Sequence, residues 1–600
     1  MSIKIKRTIS LFLSLLFICL IPLSASAQSE EIIIVPHTPK LFNSAGPNVE
    51  TLKNYVNIDT FRTFLIAGLA SCPESLDISA FNITYTDESF SAICDYIFYE
   101  TPELFQISSM GGSISGGKII TLRPTYKYDA TSYATMLKEF YEGADTLLKG
   151  IKGNKAISDV EKALLLHDRL AVWCEYDYAN YLKNSIPTES YTAYGVFGKK
   201  VAVCQGYALA YDYLLLQVGI DSYLCSSDLI NHAWNIVYID NTKYHVDVTW
   251  DDPTWDTSGR VYHDNFLRST SGMISTEHVK NNSIDYDSSP VDTTYDNYYW
   301  QNSETAFQLV GEDIYYIDSS SDTLNKISNG ITTACQNVSG IWRAPSGGYW
   351  IGNFSQLSFD GENLLYSLPN SVYKYDIKTG ISTPIFTPDM PTDGYYSIYG
   401  LKYEDCKISC EIFTTPNFDE TTKSNYTKNQ THHVESDWEI LNAPTPDTQG
   451  LKQKTCINCN ETLEEKVIPA IAVTADENTV IDYNNSLIFT DVFTCANINN
   501  LLNVSGSTTL SVDQTKKFHG TGTLVTVEVN GEAVHTLTLI VNGDINGDSV
   551  CDVLDLAQAQ LYASNKRTPD TLDIYAANCG IADTIDETTY QNLVNKALNI

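Results

Sequence analysis

One stretch of this 600-residue chain constrains its fold more than any other: VAVCQGYALAYDYLLLQVGIDSYLCSSDLINHAWNIVYIDNTKYHVDVTWDD, residues 201–252. Behind Cys204, the apolar residues Tyr207, Ala208, Tyr211, Leu214, Leu215 and Val218 recur at helical spacing, and Gly219 supplies the stop. Two strand-like runs follow at 233–239 and 244–250, joined by the turn residues Asp240, Asn241 and Thr242. The expectation is a helix followed by a hairpin. Cys204 opens the helix, His232 sits where the first strand begins, and Asp247 lies inside the second strand. A turn centred on Asp240 and Asn241 makes His232 and Asp247 diagonal neighbours on one sheet face. A helix N-terminus favours a thiolate, because its unpaired N–H groups stabilise negative charge. A histidine then takes the thiol proton, and a carboxylate on its other nitrogen fixes the tautomer. Together these are the parts of an activated sulfur nucleophile. The Cys204 backbone N–H is the natural first donor to an oxyanion, with Tyr191, Tyr194 and Gln205 as candidates for the second.

Other assignments of nearby residues stay open. His245 shares strand parity with Asp247 and competes for the histidine role, whereas His167 lies on an apolar helix and reads as structural. Cys174 and Cys225 read as core thiols or as a disulfide, and Cys72 and Cys94 as a further pair. Trp234, Trp250 and Asp251 either wall the site or serve packing and turns.

The wording around the three residues is more specific than their identity. VCQGYA at the cysteine, HAWN at the histidine and YHVDVTWDD at the aspartate resemble the transglutaminase-like superfamily. LLLHDRLAVWCEYDYA (164–179) and YTAYGVFGKK (191–200) extend the resemblance over roughly 157–253. It implies a papain-like core in which a helix-borne cysteine packs against a sheet carrying histidine and aspartate. It also implies Cys204 as nucleophile, His232 as general base and then acid, and Asp247 as its orienter. The implied chemistry is attack on an amide carbonyl to give a thioester. Water resolving it makes a peptidase or deamidase, a lysine amine makes a cross-linker, and hydrolysis is the expected outcome. The competing class is a non-catalytic scaffold or binding component.

The chain opens with Lys4, Lys6 and Arg7, then an apolar run and Ala25-Ser26-Ala27, which reads as a signal peptide over 1–27. No later segment approaches the roughly 20 apolar residues that span a bilayer, so a secreted, soluble protein is expected. A formal net charge of −35 argues against nucleic acid or an anionic membrane as partner. Fourteen cysteines, one of them in the leader, are too sparse for a disulfide-dense scaffold.

Residues 28–150 read as an α+β segment leading into a core at 151–290. Residues 295–425 are polar, aromatic and strand-rich, with echoes QLVGEDIYYID, LSFDGENLLYS and YGLKYEDCKIS spaced as in a β-meander or partial propeller. Residues 426–470 hold a CxxC knuckle, Cys456 and Cys459, suited to zinc with His433 as a third ligand. They resemble a short secreted module that carries one further cysteine; here only Asp447 stands in that region, so the tetrahedral set is short by one. Zinc, a Cys456–Cys459 redox pair and an inert stem remain alternatives. Residues 471–541 alternate polar and apolar as in a β-sandwich.

In 542–600, Asp544, Asn546, Asp548, Asp552 and Asp555 fall at positions 1, 3, 5, 9 and 12 of an EF-hand-like calcium loop, with the Val550 carbonyl at position 7. Ser549 stands where glycine is usual. The closing aspartate followed by a helix resembles dockerin modules. That resemblance implies a structural calcium ion, a cohesin domain of a scaffoldin as partner, and a cellulosome-like, polysaccharide-degrading assembly. The second copy, NCGIADTIDETT (578–589), has lost most carboxylates, so one strong calcium site and a weak or absent second one are expected. The expected fold is multidomain α+β: a papain-like transglutaminase core, all-β modules, and a small α-helical calcium-binding dockerin-like domain.

Overall fold

A computed structural model describes residues 32–38, 51–227, 229–253, 259–278, 287–343, 348–392, 394–413, 426–491, 498–512, 519–578 and 583–598. The leader at 1–27 lies outside them, as do 579–582 of the second acidic loop. Helices alternate with many antiparallel sheets, so the chain is a multidomain α+β protein. It divides into two compact units: 1–359 with 363–402 and 409–429, and 360–362 with 403–408 and 430–600. No helix among the described residues is long and apolar enough to cross a membrane.

The first unit opens on a four-stranded sheet ordered Ile32–His37, Ile107–Ser115, Lys118–Tyr126, Leu76–Asp77. Helix Asp87–Tyr99 starts at a capping box in which Thr86 and Ser89 satisfy each other's backbone N–H. Its apolar face joins Phe61, Leu65, Met110 and Leu122 in a hydrophobic cluster of its own. Helix Ala130–Leu148 belongs elsewhere: Phe140 and Leu147 pack into the cluster of the following core.

That core is built on three helices, Ala130–Leu148, Asp159–Trp173 and Cys204–Gln217, and an antiparallel sheet of Ser222–Ser227, His232–Ile239 and Thr242–Val246. Ser158 and Glu161 box the start of Asp159–Trp173. The cysteine helix is buried from Cys204 through Leu215. A helix apolar on every side needs cover on every side, and here neighbouring helices and the sheet supply it. Its polar groups are absorbed internally: Tyr207 Oη donates to Cys174 O (2.8 Å) and Asp252 Oδ2 (2.6 Å), and Asn235 Nδ2 donates to Ala208 O (2.9 Å).

The hairpin differs from expectation at its far end. Its turn is the two residues Asp240 and Asn241, both left-handed (φ 48° and 63°), the geometry a tight antiparallel hairpin favours. The second strand stops at Val246, so Asp247 is not inside it and is no diagonal neighbour of His232 across a ladder. Asp247 instead caps the short helix Val248–Asp251, its Oδ1 accepting from the N–H groups of Thr249 (2.9 Å) and Trp250 (3.2 Å). Aspartate is among the strongest N-cap residues, and that preference ends the strand.

Beyond the core, two antiparallel four-stranded meanders follow, Gln308–Val310 to Ile331–Asn337 and Ser358–Phe359 to Ile381–Phe386. The boundary drawn near 290 is not a boundary of packing. Trp300, Phe307, Ile314 and Tyr316 share the core's hydrophobic cluster with Leu170 and Tyr207.

The second unit carries a three-stranded sheet, Glu439–Asn442, Gly450–Thr455 and Thr462–Ile468. A five-stranded sheet follows, in which Leu487–Thr490 runs parallel to Glu532–Val541, facing a core of Val525, Val527, Leu537 and Leu539. Three helices close the unit: Val553–Ala563, Thr571–Asn578 and Glu587–Ala597.

Candidate active site

Cys204 is the first residue of its helix and is buried, and Val203 at the N-cap offers no side-chain acceptor to the helix start. His232, the first residue of its strand, approaches from the sheet. Its Nε2 lies 2.6 Å from Asp247 Oδ2, and the Cys204 sulfur acts on its ring electrostatically. The three residues therefore meet in the order nucleophile, base, carboxylate. Burial alone pushes the His232 imidazole down; the Asp247 carboxylate and the Cys204 sulfur outweigh it and raise it to about 10. Burial likewise pushes Asp247 up, but the facing His232 and two histidine hydrogen bonds hold it well below the usual carboxylate range. Trp250 stacks on His232 at 5.0 Å and Trp234 at 5.7 Å, so the ring is held from both hydrogen-bond and packing directions.

A second histidine, which nothing in the sequence signalled, shares the carboxylate. His278 Nε2 is 2.8 Å from Asp247 Oδ2, and its ring packs 4.1 Å from that of Trp250. It arrives from 31 residues downstream, with no local motif around it.

His245, the competing histidine, is engaged elsewhere: Trp234 Nε1 donates to its Nδ1 (3.0 Å) and Thr270 Oγ1 meets its Nε2 (3.1 Å). Burial, with His278 beside it, pushes His245 down to about 3, so it is neutral. His167 sits in a buried network. Its Nδ1 meets Asp168 (2.8 Å) and its Nε2 meets Asp251 (3.1 Å), while His263 Nε2 also reaches Asp168 (3.0 Å). Asp251 additionally accepts from the Asn265 N–H (3.1 Å), which fixes the loop after Asp247. These groups brace the site from behind. No disulfide joins Cys72 to Cys94 or Cys174 to Cys225, so of the alternatives for the latter two the core-thiol one stands, both being buried.

Two side-chain candidates for the oxyanion donor are committed elsewhere. Tyr194 Oη donates to Glu139 (2.6 Å), and Gln205 Nε2 donates to Tyr191 O (3.3 Å). Tyr176 and Tyr191 remain near the site: burial raises both phenols, and Cys204 acts on both electrostatically. Tyr176 lines a cavity of about 770 Å³ with Tyr178, Tyr181, His232, Trp250 and Asp264. The mouth is aromatic and acidic.

In the second unit, the first acidic loop folds inward. Asp544 Oδ2 accepts from the N–H groups of Thr521 (2.8 Å) and Ser549 (3.0 Å), and its buried Oδ1 has no partner among the described residues. Asp555 is buried too, accepting from the N–H groups of Ile545, Asn546 and Asp552. Burial pushes Asp544 up to about 6 and Asp555 upward, which marks a pocket short of positive charge. Ser549, in the usual glycine position, adopts φ 75°. Asn546 and Asp548 side chains accept from Asp548 N and Val550 N, and Asp552 caps the following helix. In the second loop, Asp586 caps helix Glu587–Ala597 through Thr589 N (2.8 Å).

His433, Cys456 and Cys459 also come together, and the expectation that they lack a fourth partner is corrected: Cys406 stands beside them. Its clue in the sequence was a cysteine in the tight turn of YGLKYEDCKIS, where turn-forming residues are usual.

No family model matches the chain, and no curated protein does. Among solved structures it is similar to a transglutaminase at 16% identity, over 25% of this chain and 48% of that one, with a TM-score of 0.17. It is also similar to the nidogen–laminin complex (9% identity, 40% and 81% covered, TM-score 0.13). A third is the extracellular domain of a one component system from B. thetaiotaomicron (10%, 51% and 44%, TM-score 0.14). The chain thus spans about half the length of the transglutaminase it matches. Scores this low leave the functional argument to the site itself.

Proposed function

We propose that the chain is a secreted transglutaminase-like cysteine enzyme with a papain-like core, acting on amide bonds of proteins or peptides through a thioester. The observation that carries this reading is His232, hydrogen-bonded to Asp247 and under the electrostatic influence of Cys204 at a helix start. The thiolate attacks the carbonyl carbon, and the oxyanion is received by the Cys204 N–H with the Tyr176 hydroxyl beside it. Protonated His232 gives its proton to the departing nitrogen, so an amine or ammonia leaves and an acyl-thioester remains. His232, now neutral, takes a proton from water, which resolves the thioester and restores the thiolate. Asp247 holds the imidazole in place throughout. Hydrolysis is preferred to cross-linking. The aromatic, acidic mouth suits a peptide with aromatic or basic side chains.

The C-terminal helices and loop form a dockerin-like module in this reading. Asp544, Asn546, Asp548, Asp552 and Asp555, with the Val550 carbonyl, hold a structural calcium ion, a fit supported by the unpartnered Asp544 Oδ1. Its partner is a cohesin domain on a scaffoldin, which places the enzyme in a cellulosome-like assembly.

The test is iodoacetamide labelling at graded pH, read by mass spectrometry, on the wild type beside His232→Ala. Labelling of Cys204 well below about pH 8, shifted upward in the variant, supports the ion pair. Ordinary thiol labelling in both proteins sinks the enzyme reading in favour of a binding component.

A further inference from the structure

We propose that Cys406, His433, Cys456 and Cys459 form a closed, tetrahedral zinc site in the second unit. One ligand atom from each lies within 4.8 Å of all the others. Cys406 Sγ and Cys456 Sγ are 3.4 Å apart, and Cys459 Sγ is 3.6 Å from His433 Nδ1. Bonds of about 2.3 Å to sulfur and about 2.05 Å to nitrogen set tetrahedral edges of roughly 3.8 Å between sulfurs and 3.6 Å from sulfur to nitrogen. The sulfur-to-nitrogen spacing matches such an edge, and the sulfur-to-sulfur spacing falls short of one by about 0.4 Å. The latter is too long for a disulfide, which needs sulfurs about 2.05 Å apart, and all three cysteines are free thiols.

Backbone geometry holds each ligand in place. Cys406 is the second residue of a turn between strands Ser397–Glu404 and Lys407–Phe413, with Asp405 and Cys406 both left-handed (φ 49° and 56°). That conformation is costly for a cysteine and marks a position chosen for its side chain. Cys406 O accepts from His432 N (2.9 Å), which brings the next residue, His433, alongside. The CxxC segment is pinned by Ile457 N to Val434 O (3.0 Å) and Cys456 N to Glu461 O (2.8 Å), and it closes at Asn460 (φ 60°).

The surroundings suit a cation. On the far side of the His433 ring, Nε2 faces Glu461 at 3.5 Å, the outer carboxylate that fixes a ligating histidine's tautomer. Four protein ligands leave no open position, so the metal is structural. The three-stranded sheet beside it is largely exposed and has little core of its own, and a metal supplies the cohesion such a small element lacks.

The full chain tests this by metal analysis of the protein as isolated and by absorption after chelation and reloading with Co2+. One zinc per chain and a thiolate-to-cobalt charge-transfer band with intense tetrahedral d–d bands are expected. Cobalt in the acidic loop, an all-oxygen site, gives no thiolate band. Cys406→Ser weakens cobalt binding by more than the roughly 10- to 100-fold that losing an outer partner costs, while Cys335→Ser leaves it unchanged. A wild type without the thiolate band overturns the proposal, as does a non-reduced peptide map pairing Cys456 with Cys406 or Cys459. The wild-type spectrum decides even where the variant fails to fold.

Discussion

Replacing His278 by Phe tests whether the shared carboxylate works as the geometry indicates. Asp247 Oδ2 receives two histidine nitrogens, His232 at 2.6 Å and His278 at 2.8 Å, and all three residues are buried. Phenylalanine keeps a ring against Trp250 and Trp234 but removes the donor. A hydrogen bond to a charged group contributes about 1.5–3 kcal/mol, and a buried acceptor cannot recover it from water. Chemical denaturation at neutral pH should therefore show a loss of that size. Asp247 keeps His232 and two backbone donors, so catalysis survives, reduced about tenfold (one decade per roughly 1.4 kcal/mol). The informative readout is the alkaline limb of the activity profile. With one donor fewer, the Asp247 charge is less neutralised and holds the His232 proton more tightly, so the limb moves to higher pH. A variant within about 0.5 kcal/mol of wild type, with an unmoved limb, refutes this account of the site.

Asp247→Asn keeps the shape, but one of its two terminal atoms becomes an NH2 that cannot accept, so either the two imidazoles or the two backbone N–H groups lose their acceptor; turnover should fall about 10³- to 10⁴-fold with the near-UV spectrum unchanged. His232 is raised to about 10 in the fold against about 6.5 in an unfolded chain. Its contribution is complete below about pH 6.5 and is lost as pH rises through about 10, so denaturation midpoints should decline over that window, and less steeply in His232→Gln. Asp544→Ala removes a buried loop carboxylate; calcium at about 100 times its dissociation constant should stabilise the wild type by about 2.7 kcal/mol and the variant not at all, read by thermal unfolding of the full chain. Chelation should lower that unfolding temperature while leaving the pH profile of Cys204 labelling in place, since no step of the proposed chemistry needs a metal.

The helix start at Cys204, the strand at His232 and the tight turn at Asp240–Asn241 were legible because each rests on local rules: apolar periodicity, β-branched and aromatic runs, and turn residues that tolerate positive φ. Asp247 was legible as a partner but not in its place. The strand-like run VDVTW masked an N-cap, and local hydrogen bonding to Thr249 and Trp250 won over strand propensity. His278 was not legible as a functional residue, and Cys406 only as an unusual cysteine in a turn, because their neighbours are set by chain crossings tens of residues long. Composition also drew a boundary near 290 that packing erases, since Trp300 and Phe307 finish the core begun by the helices.

The turn carrying Cys406 has a practical consequence for anyone cutting this protein into parts. Composition invites a cut at 426, ahead of the histidines and the CxxC pair. The compact second unit nevertheless reclaims 403–408 from within the preceding strands. A fragment beginning at 426 would leave with three of the four clustered side chains, and transplanting it onto another protein would strand Cys456 with an absent neighbour. The inheritable piece therefore includes the hairpin before it, and the chain's segments are less interchangeable than their compositions suggest.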